Sequence, residues 1–458
     1  MHELGRELQR AGLNELTLVQ LFGPAWSADD VPLVLDRYRS DDPRVPLVRA
    51  FVLGEPVAAE SLPVPAAVLA EAGLLELDGE RAVARVRLTP YAGLLVAHGA
   101  DPSDPEFVTG VSAASRTLAT LTVRRPVERT LDLGTGSGVE ALLAARHSET
   151  VVATDVNAHA LECAALGARL NGLTLDLRLG SLFEPVDGET YDLIVANPPF
   201  VVSPDSDFVY RDSMLPGDAI CREVVRGAAA HLRPGGFATV LCNWICRVPT
   251  ETWQPMAPWV EGLACDTMLI SHGVIEPLRY AARWNEPLRE DPAAYAAAVS
   301  RWLDYYDRES VSGIGIGAVV LRGRDRPGWV RGLDAPRPAT GAAGEHVVRL
   351  FEATDRLAGL SRDDELLDDV LTLVRGHRLD QSLTYDGEYE IADVTMSLAE
   401  GVGLAAAIEP EVLPLLFELA RGRTPRDAAA AAGISAAEAA PTIHRWLELG
   451  LLEQAHGS

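Results

Sequence analysis

The 458-residue chain has no lysine: all 40 of its basic residues are arginine, set against 66 acids, for a formal net charge of −26. A chain of that sign repels a polyanion at long range, so contact with nucleic acid needs a local basic patch. No basic tail occurs. The nearest approaches are Arg124-Arg125 and the trio Arg322, Arg324 and Arg326, which read as solvated loop charge. Cysteine is scarce as well: Cys163, Cys221, Cys242, Cys246 and Cys265 make an odd set without a CxxC pair. Such spacing completes no metal site, so no metal is expected and the thiols read as buried groups of a reducing compartment. Long apolar runs are missing too. None is long enough to cross a bilayer, and residues 1–10 carry no apolar signal core, so the expectation is a cytoplasmic protein with no membrane partner. What remains is ordinary globular material, 48% hydrophobic and 23% charged, in a length suited to several domains.

Three regions can be told apart. Residues 1–100 form the first. Val45 to Leu53 reads as a helix, two short helices surround Pro63 and Pro65, and the turn Asp78-Gly79 joins Leu74–Leu77 to a strand spanning Ala82 to Leu88. Helices followed by a hairpin suggest a winged-helix pattern whose wing carries Arg81, Arg85 and Arg87. The last region, residues 345–458, repeats the theme. A hairpin is expected around Asp386-Gly387, a helix at Glu411 to Ala420, a second capped by Thr424 and ended by Gly433, and a third capped by Ser435. "AVLAEAGLLEL" (Ala67–Leu77) and "HRWLELGLLEQ" (His444–Gln454) share a helix, Gly, Leu-Leu-Glu ending. Residues 327–344, rich in Pro, Gly and Ala, read as a linker.

Between these modules, residues 101–326 alternate short apolar strands with helices. Strands are expected at Thr130–Leu133, Val151–Asp155, Leu175–Leu179, Leu193–Ala196 and Phe237–Cys242, with Cys265–Ile270 and Ile316–Leu321 closing the sheet. Such alternation implies an α/β fold with a largely parallel sheet. A longer connection, Glu276 to Arg308, should contain a helix and act as a lid or docking surface.

Two signatures in this core carry chemistry. The first is Leu131-Asp132-Leu133-Gly134-Thr135-Gly136-Ser137-Gly138, a strand running into a glycine-rich turn that opens a helix. Its glycines let a ligand approach the backbone, and Asp155, ending the next strand, can accept both ribose hydroxyls of an adenosine-type cofactor. Dinucleotide-binding folds use a similar turn, but spaced GxGxxG rather than GxGxG. The second signature is Asn197-Pro198-Pro199-Phe200, at the end of the fourth strand, where ligands bind in such sheets. The Asn197 side-chain oxygen and the Pro198 carbonyl can accept both hydrogens of a target amino group, and Phe200 supplies a flat surface for a planar substrate.

On these two motifs the chain resembles the Rossmann-like N-methyltransferases that use S-adenosylmethionine (SAM) and end their fourth strand in Asn-Pro-Pro-(Phe/Tyr). Release-factor glutamine methyltransferases and ribosomal or transfer RNA purine N-methyltransferases are among them. The likeness spans Thr109 to Cys242, about a third of the chain. It implies a seven-stranded core, which in this chain would be flanked by the N- and C-terminal winged-helix-like modules read from the pattern above. It also implies that Asp132, Gly134, Thr135, Gly136 and Gly138 hold the methionine portion of SAM, and Asp155 with Val156 the ribose side. Asn197, Pro198, Pro199 and Phe200 would hold the target nitrogen, with Asn197 also lying against the cofactor. Many relatives carry an acid after the third strand for adenine; here Ser181 stands in that place, with Leu182 beside it. Tyr210 and Arg211 resemble the loop after the catalytic turn, Arg211 either meeting an anionic substrate group or pairing with Asp212 or Asp218. Trp244, after Asn243, either lines the substrate side or is core. His272 is a further pocket candidate. The acceptor stays open between protein or peptide, RNA or DNA, and a small molecule. A SAM-sensing DNA-binding regulator and an NAD-dependent oxidoreductase are the competing classes.

Overall fold

The computed structural model describes residues 1–23, 41–101, 104, 106–205, 217–248 and 251–454. Among them, no helix is long and apolar enough to cross a membrane. The chain opens with helices α1 (His2–Arg10), α2 (Glu15–Phe22), α3 (Val45–Val48) and α4 (Ala66–Glu71), packed against a small antiparallel sheet in the order β1-β3-β2. Its strands are β1 (Val57–Ala58), β2 (Leu75–Asp78) and β3 (Arg81–Ala84), and the β2–β3 turn is Gly79-Glu80, one residue later than expected. The strand expected to run on to Leu88 breaks at Arg85, whose amide bonds to the Leu74 carbonyl at 2.9 Å. A separate strand, β4 (Val86–Tyr91), then pairs with β5 (Leu94–Gly99). That break corrects the arginine wing. Arg85 pairs with Glu76 at 3.3 Å, while Arg87 leaves the hairpin and is half-buried, its Nε enclosed beneath Gly54.

The centre is one eight-stranded sheet: β6 (Val127–Leu133), β7 (Ser148–Asp155), β8 (Asp176–Leu179), β9 (Tyr191–Ala196), β10 (Leu232–Cys246), β11 (Cys265–Ile275), β12 (Gly313–Gly323) and β13 (Val330–Asp334). Their spatial order is β13-β11-β12-β10-β9-β6-β7-β8, with β12 antiparallel to both neighbours. Seven strands were expected. The eighth, β13, comes from the stretch read as a linker and runs parallel to β11. Its sequence, VRGLD, has no apolar run, because an edge strand covered on one side needs none. Connecting helices are α5 (Ala113–Leu121), α6 (Val139–Ala144), α7 (Ala158–Asn171), α8 (Ala219–His231), α9 (Ala257–Val260), α10 (Pro277–Trp284) and α11 (Pro292–Arg308).

Period-two alternation gives the sheet two apolar faces. Leu193 and Val195 of β9 join Leu241, Met268 and Val320 on one; Ile194 and Ala196 join Val240, Val319 and helix α8 on the other. The N-terminal region docks along α7. There Asn171 accepts from the Leu95 amide at 3.0 Å and donates to the Leu95 carbonyl at 2.8 Å. The C-terminal region brings α12 (Ala343–Ala358), β14 (Leu371–Leu373), β15 (His377–Tyr385), β16 (Tyr389–Leu398), β17 (Ala405–Ala407), α13 (Leu413–Ala420), α14 (Pro425–Ala432), α15 (Ala436–Glu448) and β18 (Leu452–Gln454). Thr424 and Ser435 cap α14 and α15 as their positions suggest, Ser435 in a reciprocal capping box with Glu438. β18 pairs with β14 from far upstream rather than folding back into a hairpin of its own.

Helix α12 lies on the first sheet face, where Val347, Leu350 and Phe351 share a core with Leu193 and Val195. Arg322 and Arg324 are not solvated loop charges: both bond to the buried Asp266 on β11 and to Asp355 on α12. His346 on the same helix is fully enclosed. Its Nε2–H donates to the Leu449 carbonyl at 2.7 Å, and its Nδ1 accepts from the Val402 amide at 3.2 Å. Burial pushes its pKa down from 6.5 to about 4. The unfolded chain therefore binds a proton that the folded one refuses. The neutral imidazole's contribution is complete above pH 6.5 and is lost as pH falls toward 4, a loss of about 3 kcal/mol from this one group. Urea midpoints across that window should fall less steeply in His346→Gln than in the wild type; equal slopes would rule the histidine out.

Candidate active site

Parallel pairing sets the site's frame. Leu133 of β6 lies beside Thr154 of β7 and Ala196 of β9, and Asp155 lies beside Leu179 of β8. The residues that follow, Gly134, Asp155 and Asn197, therefore emerge side by side at the carboxyl ends of the strands. The chain steps from β6 outward to β7 and β8, then back to β9 on the other flank, so this is the point where the strand order reverses.

The turn after β6 is held from beneath. Asp132 is buried; its Oδ2 accepts from the Thr135 hydroxyl at 2.6 Å and the Ala141 amide at 2.9 Å. Burial raises its pKa to about 6, the Thr135 and Ala141 donors opposing the rise. Asp132 thus acts as an internal brace of the loop. Gly134, Gly136 and Gly138 have φ of +70°, +52° and +79°, a region that strains any side chain. A Cβ on Gly138 would stand 2.9 Å from that of Ala164, whereas at Gly134 and Gly136 it would meet open space. Gly138 thus serves helix packing, while the other two leave an uncovered backbone surface.

Asp155 closes the turn from the next strand. Its Oδ2 accepts from the Gly136 amide at 2.8 Å and its Oδ1 from the Asn157 amide at 2.9 Å. Burial raises its pKa, opposed by those same amides. Val156 beside it is an exposed apolar side chain, 54% accessible. Ser181 is exposed past the end of β8, and Leu182 adopts a left-handed φ of +47°.

Asn197 is the unusual member. Its Oδ1 is buried and has no hydrogen-bond partner among the described residues, which leaves a strong acceptor unused there. Phe200 is half-buried where three apolar clusters meet. The next two residues are gripped by the insertion between β11 and β12. Tyr280 of α10 accepts from the Val202 amide at 3.3 Å and from Asn243 Nδ2 at 2.6 Å, and Tyr306 of α11 donates to the Val202 carbonyl at 2.8 Å. Nothing in the sequence near Asn197 pointed to these tyrosines, which lie 78 and 104 residues from Val202. Removing the Tyr280 hydroxyl orphans two buried donors at once, so Tyr280→Phe should cost about 1–3 kcal/mol in urea unfolding. Unchanged stability would mean that water replaces the hydroxyl.

Of its two readings Trp244 takes the core one, and its place lining the substrate side is corrected. The fifth strand, expected over Phe237–Cys242, runs on as β10 to Cys246 in a ladder with β12. Trp244 sits inside that ladder opposite Gly315, fully buried, its indole N–H bonded to the Thr252 carbonyl at 2.9 Å. A side chain on Gly315 would collide with the indole, and this vacancy is what seats the tryptophan in the core. His272 is spoken for at Nδ1, which meets the Ala335 carbonyl at 2.9 Å. Tyr210, Arg211 and Asp212 lie outside the described residues. Asp218, the alternative partner named for Arg211, accepts from the Ile245 amide at 3.0 Å. Among the described residues no group of three or more His, Cys, Asp or Glu side chains could hold a metal, and the five thiols are buried and free.

Residues 108–251 match the family model of the methyltransferase small domain. A release factor glutamine methyltransferase of Xylella fastidiosa is 40% identical over 130 residues, 25% of this chain and 47% of that protein. A ribosomal RNA small subunit methyltransferase C of Klebsiella pneumoniae is 31% identical over 136 residues, 29% of this chain and 36% of that protein. Among solved structures, the 16S rRNA methyltransferase of T. thermophilus, in complex with AdoMet and guanosine, aligns at 22% identity with a TM-score of 0.28, over 45% of this chain and 54% of that one. The chain spans about half or less of the curated relatives it matches. The flanking regions lie outside the matched segment, and it is the central third of the chain, residues 108–251, that matches the methyltransferase small domain.

Proposed function

We propose that the chain is a SAM-dependent methyltransferase acting on a nitrogen of a planar amide or base, carried by a protein, peptide or nucleic acid. The observation that carries this reading is the orphaned Asn197 Oδ1, buried beside the glycine turn and Asp155. A buried acceptor without a partner costs about 1–3 kcal/mol. That cost is recovered when a substrate N–H arrives.

The residues present fit the cofactor. Gly134 and Gly136 leave backbone uncovered, Asp155 keeps acceptor capacity on both oxygens for ribose hydroxyls, and Val156 offers an apolar surface to an adenine face. Ser181 and the Leu182 amide stand at the adenine end. The cofactor supplies an electrophilic methyl group, so the protein's work is alignment, exclusion of water and polarisation of the nucleophile. Asn197 Oδ1 and the Pro198 carbonyl accept the two hydrogens of the acceptor nitrogen and draw its lone pair out of conjugation. Pro198 and Pro199 stiffen the turn, and Phe200 stacks on the acceptor plane. Tyr280 and Tyr306 fix the exit of that turn through Val202.

Named substrates of the relatives include a release factor and ribosomal RNA, so the acceptor class needs its own test. Radiolabelled methyl transfer into a lysate of the native host lacking this gene, followed by protease or ribonuclease digestion, separates the two. Counts released by protease assign a protein acceptor; counts released by ribonuclease assign RNA. No macromolecular counts in the presence of demonstrated SAM binding would overturn the macromolecular reading.

A further inference from the structure

The β15–β16 hairpin is amphipathic, and its apolar side is bare. Beyond Ser382 the register pairs Leu383 with Ile391, Thr384 with Glu390 and Tyr385 with Tyr389. Residues two apart on a strand share a face, as do cross-strand partners. Leu383, Tyr385, Tyr389 and Ile391 therefore stand together on one side, 58%, 67%, 74% and 40% exposed. The two tyrosine rings lie 5.1 Å apart between centroids. Nearer the body the same hairpin is anchored, with Val394 and Met396 buried in the core that α12 shares with the central sheet. An uncovered two-stranded ribbon is marginal in water. Four large apolar side chains displayed on one are what a contact surface looks like.

Charge selects the occupant. Residues 382–393 carry Asp386, Glu388, Glu390 and Asp393 and no basic residue. A second copy of the arm would set four more carboxylates against these, and a phosphate backbone would be repelled in the same way. A protein surface with an apolar centre and a rim of arginine or lysine meets both demands: the cations pair with the carboxylates, and tyrosine faces receive guanidinium groups. We propose that this arm is a docking surface for a basic protein partner, anchored by Tyr385 and Tyr389. The inference stands apart from the methyl-transfer reading, since binding at the arm is measured without turnover.

The test is a fluorescence-anisotropy titration of the full chain with a short labelled peptide alternating arginine and leucine. A glutamate–leucine peptide and a short single-stranded RNA serve as controls. The arginine peptide should bind at least about tenfold more tightly than either control, and should weaken as salt rises. Tyr385→Ser with Tyr389→Ser should lower that affinity about tenfold or more. Asp386→Arg with Glu388→Arg, both at the hairpin tip, should turn the preference toward the glutamate peptide. All four replaced side chains are exposed, so both double variants should melt where the wild type does; the charge-reversed one keeps the test open should the serine one misfold. Variants that bind like the wild type, a preference for RNA, or a wild-type dimer in sedimentation that the serine substitutions dissolve would each overturn the proposal.

Discussion

Asn197→Ala should lower methyl transfer about 10²–10³-fold while leaving SAM binding unchanged, the size of effect seen when one preorganised polar group is removed from a reacting centre. The split follows from where the side chain sits. The backbone surface at Gly134 and Gly136 and the carboxylate of Asp155 lie on β6 and β7, on one side of the strand-order reversal, and Asn197 on the other. Its buried Oδ1 has no hydrogen-bond partner among the described residues, so truncation breaks no internal hydrogen bond at that oxygen and should cost the fold little. The loss should therefore fall in the transfer step, where the acceptor nitrogen needs its hydrogens held. Asn197→Asp keeps an acceptor in place and should retain more activity than the alanine variant at a pH where the carboxyl is neutral. Single-turnover transfer and calorimetric SAM binding, measured on the same preparations, decide the matter. A fully active Asn197→Ala, or parallel loss of both signals, would remove Asn197 from the proposed role.

The two motifs, and the strands that carry them, were legible because their information is local. A glycine turn after an apolar strand, an acid ending the next strand and Asn-Pro-Pro after the fourth each lie within a few residues. Parallel pairing then lines up Leu133, Thr154 and Ala196 without further instruction. Capping was local too, and Thr424, Gly433 and Ser435 mark helix ends where the chain says they should. What stayed hidden depends on partners distant in sequence. Trp244 looks like a strand-end aromatic until Gly315, from a strand some seventy residues on, is seen to open a slot for it. Val330–Asp334 looks like linker because composition is blind to an edge strand. The Tyr280–Asn243–Val202 cluster joins three segments, none distinctive alone. Arg87 has the same limit: alternation put it on a wing, but the break at Arg85 turned it under Gly54.

Asp266→Ala should be the most damaging change outside the site, costing about 3–5 kcal/mol of stability. Composition alone had made Arg322 and Arg324 surface charges worth little. In the fold Asp266 is only 2% exposed and receives Arg322 Nε at 2.9 Å and Arg324 Nε at 2.5 Å. Both guanidiniums continue to Asp355 on α12, at 2.6 and 3.1 Å, and Arg322 also lies over the Phe351 ring at 5.1 Å. Trp329 Nε1 donates to the same Asp355 at 3.1 Å. The cluster thus pins α12, and with it the C-terminal region, to the β11–β12 pair of the sheet. Deleting Asp266 leaves two cations sharing one half-exposed carboxylate while Arg322 stays enclosed, its side chain 13% exposed. The penalty is mainly that of an uncompensated charge, so removing the charge as well should relieve it. Asp266→Leu combined with Arg322→Met should regain most of what Asp266→Ala loses, because an apolar pair of similar volume needs no solvation. Urea midpoints at constant slope measure both. A single variant that loses less than about 1 kcal/mol would return these arginines to the class of solvated surface pairs. A double variant no better than the single would show that the bonds to Asp355 and Phe351, not the relief of buried charge, are what hold α12 on the sheet.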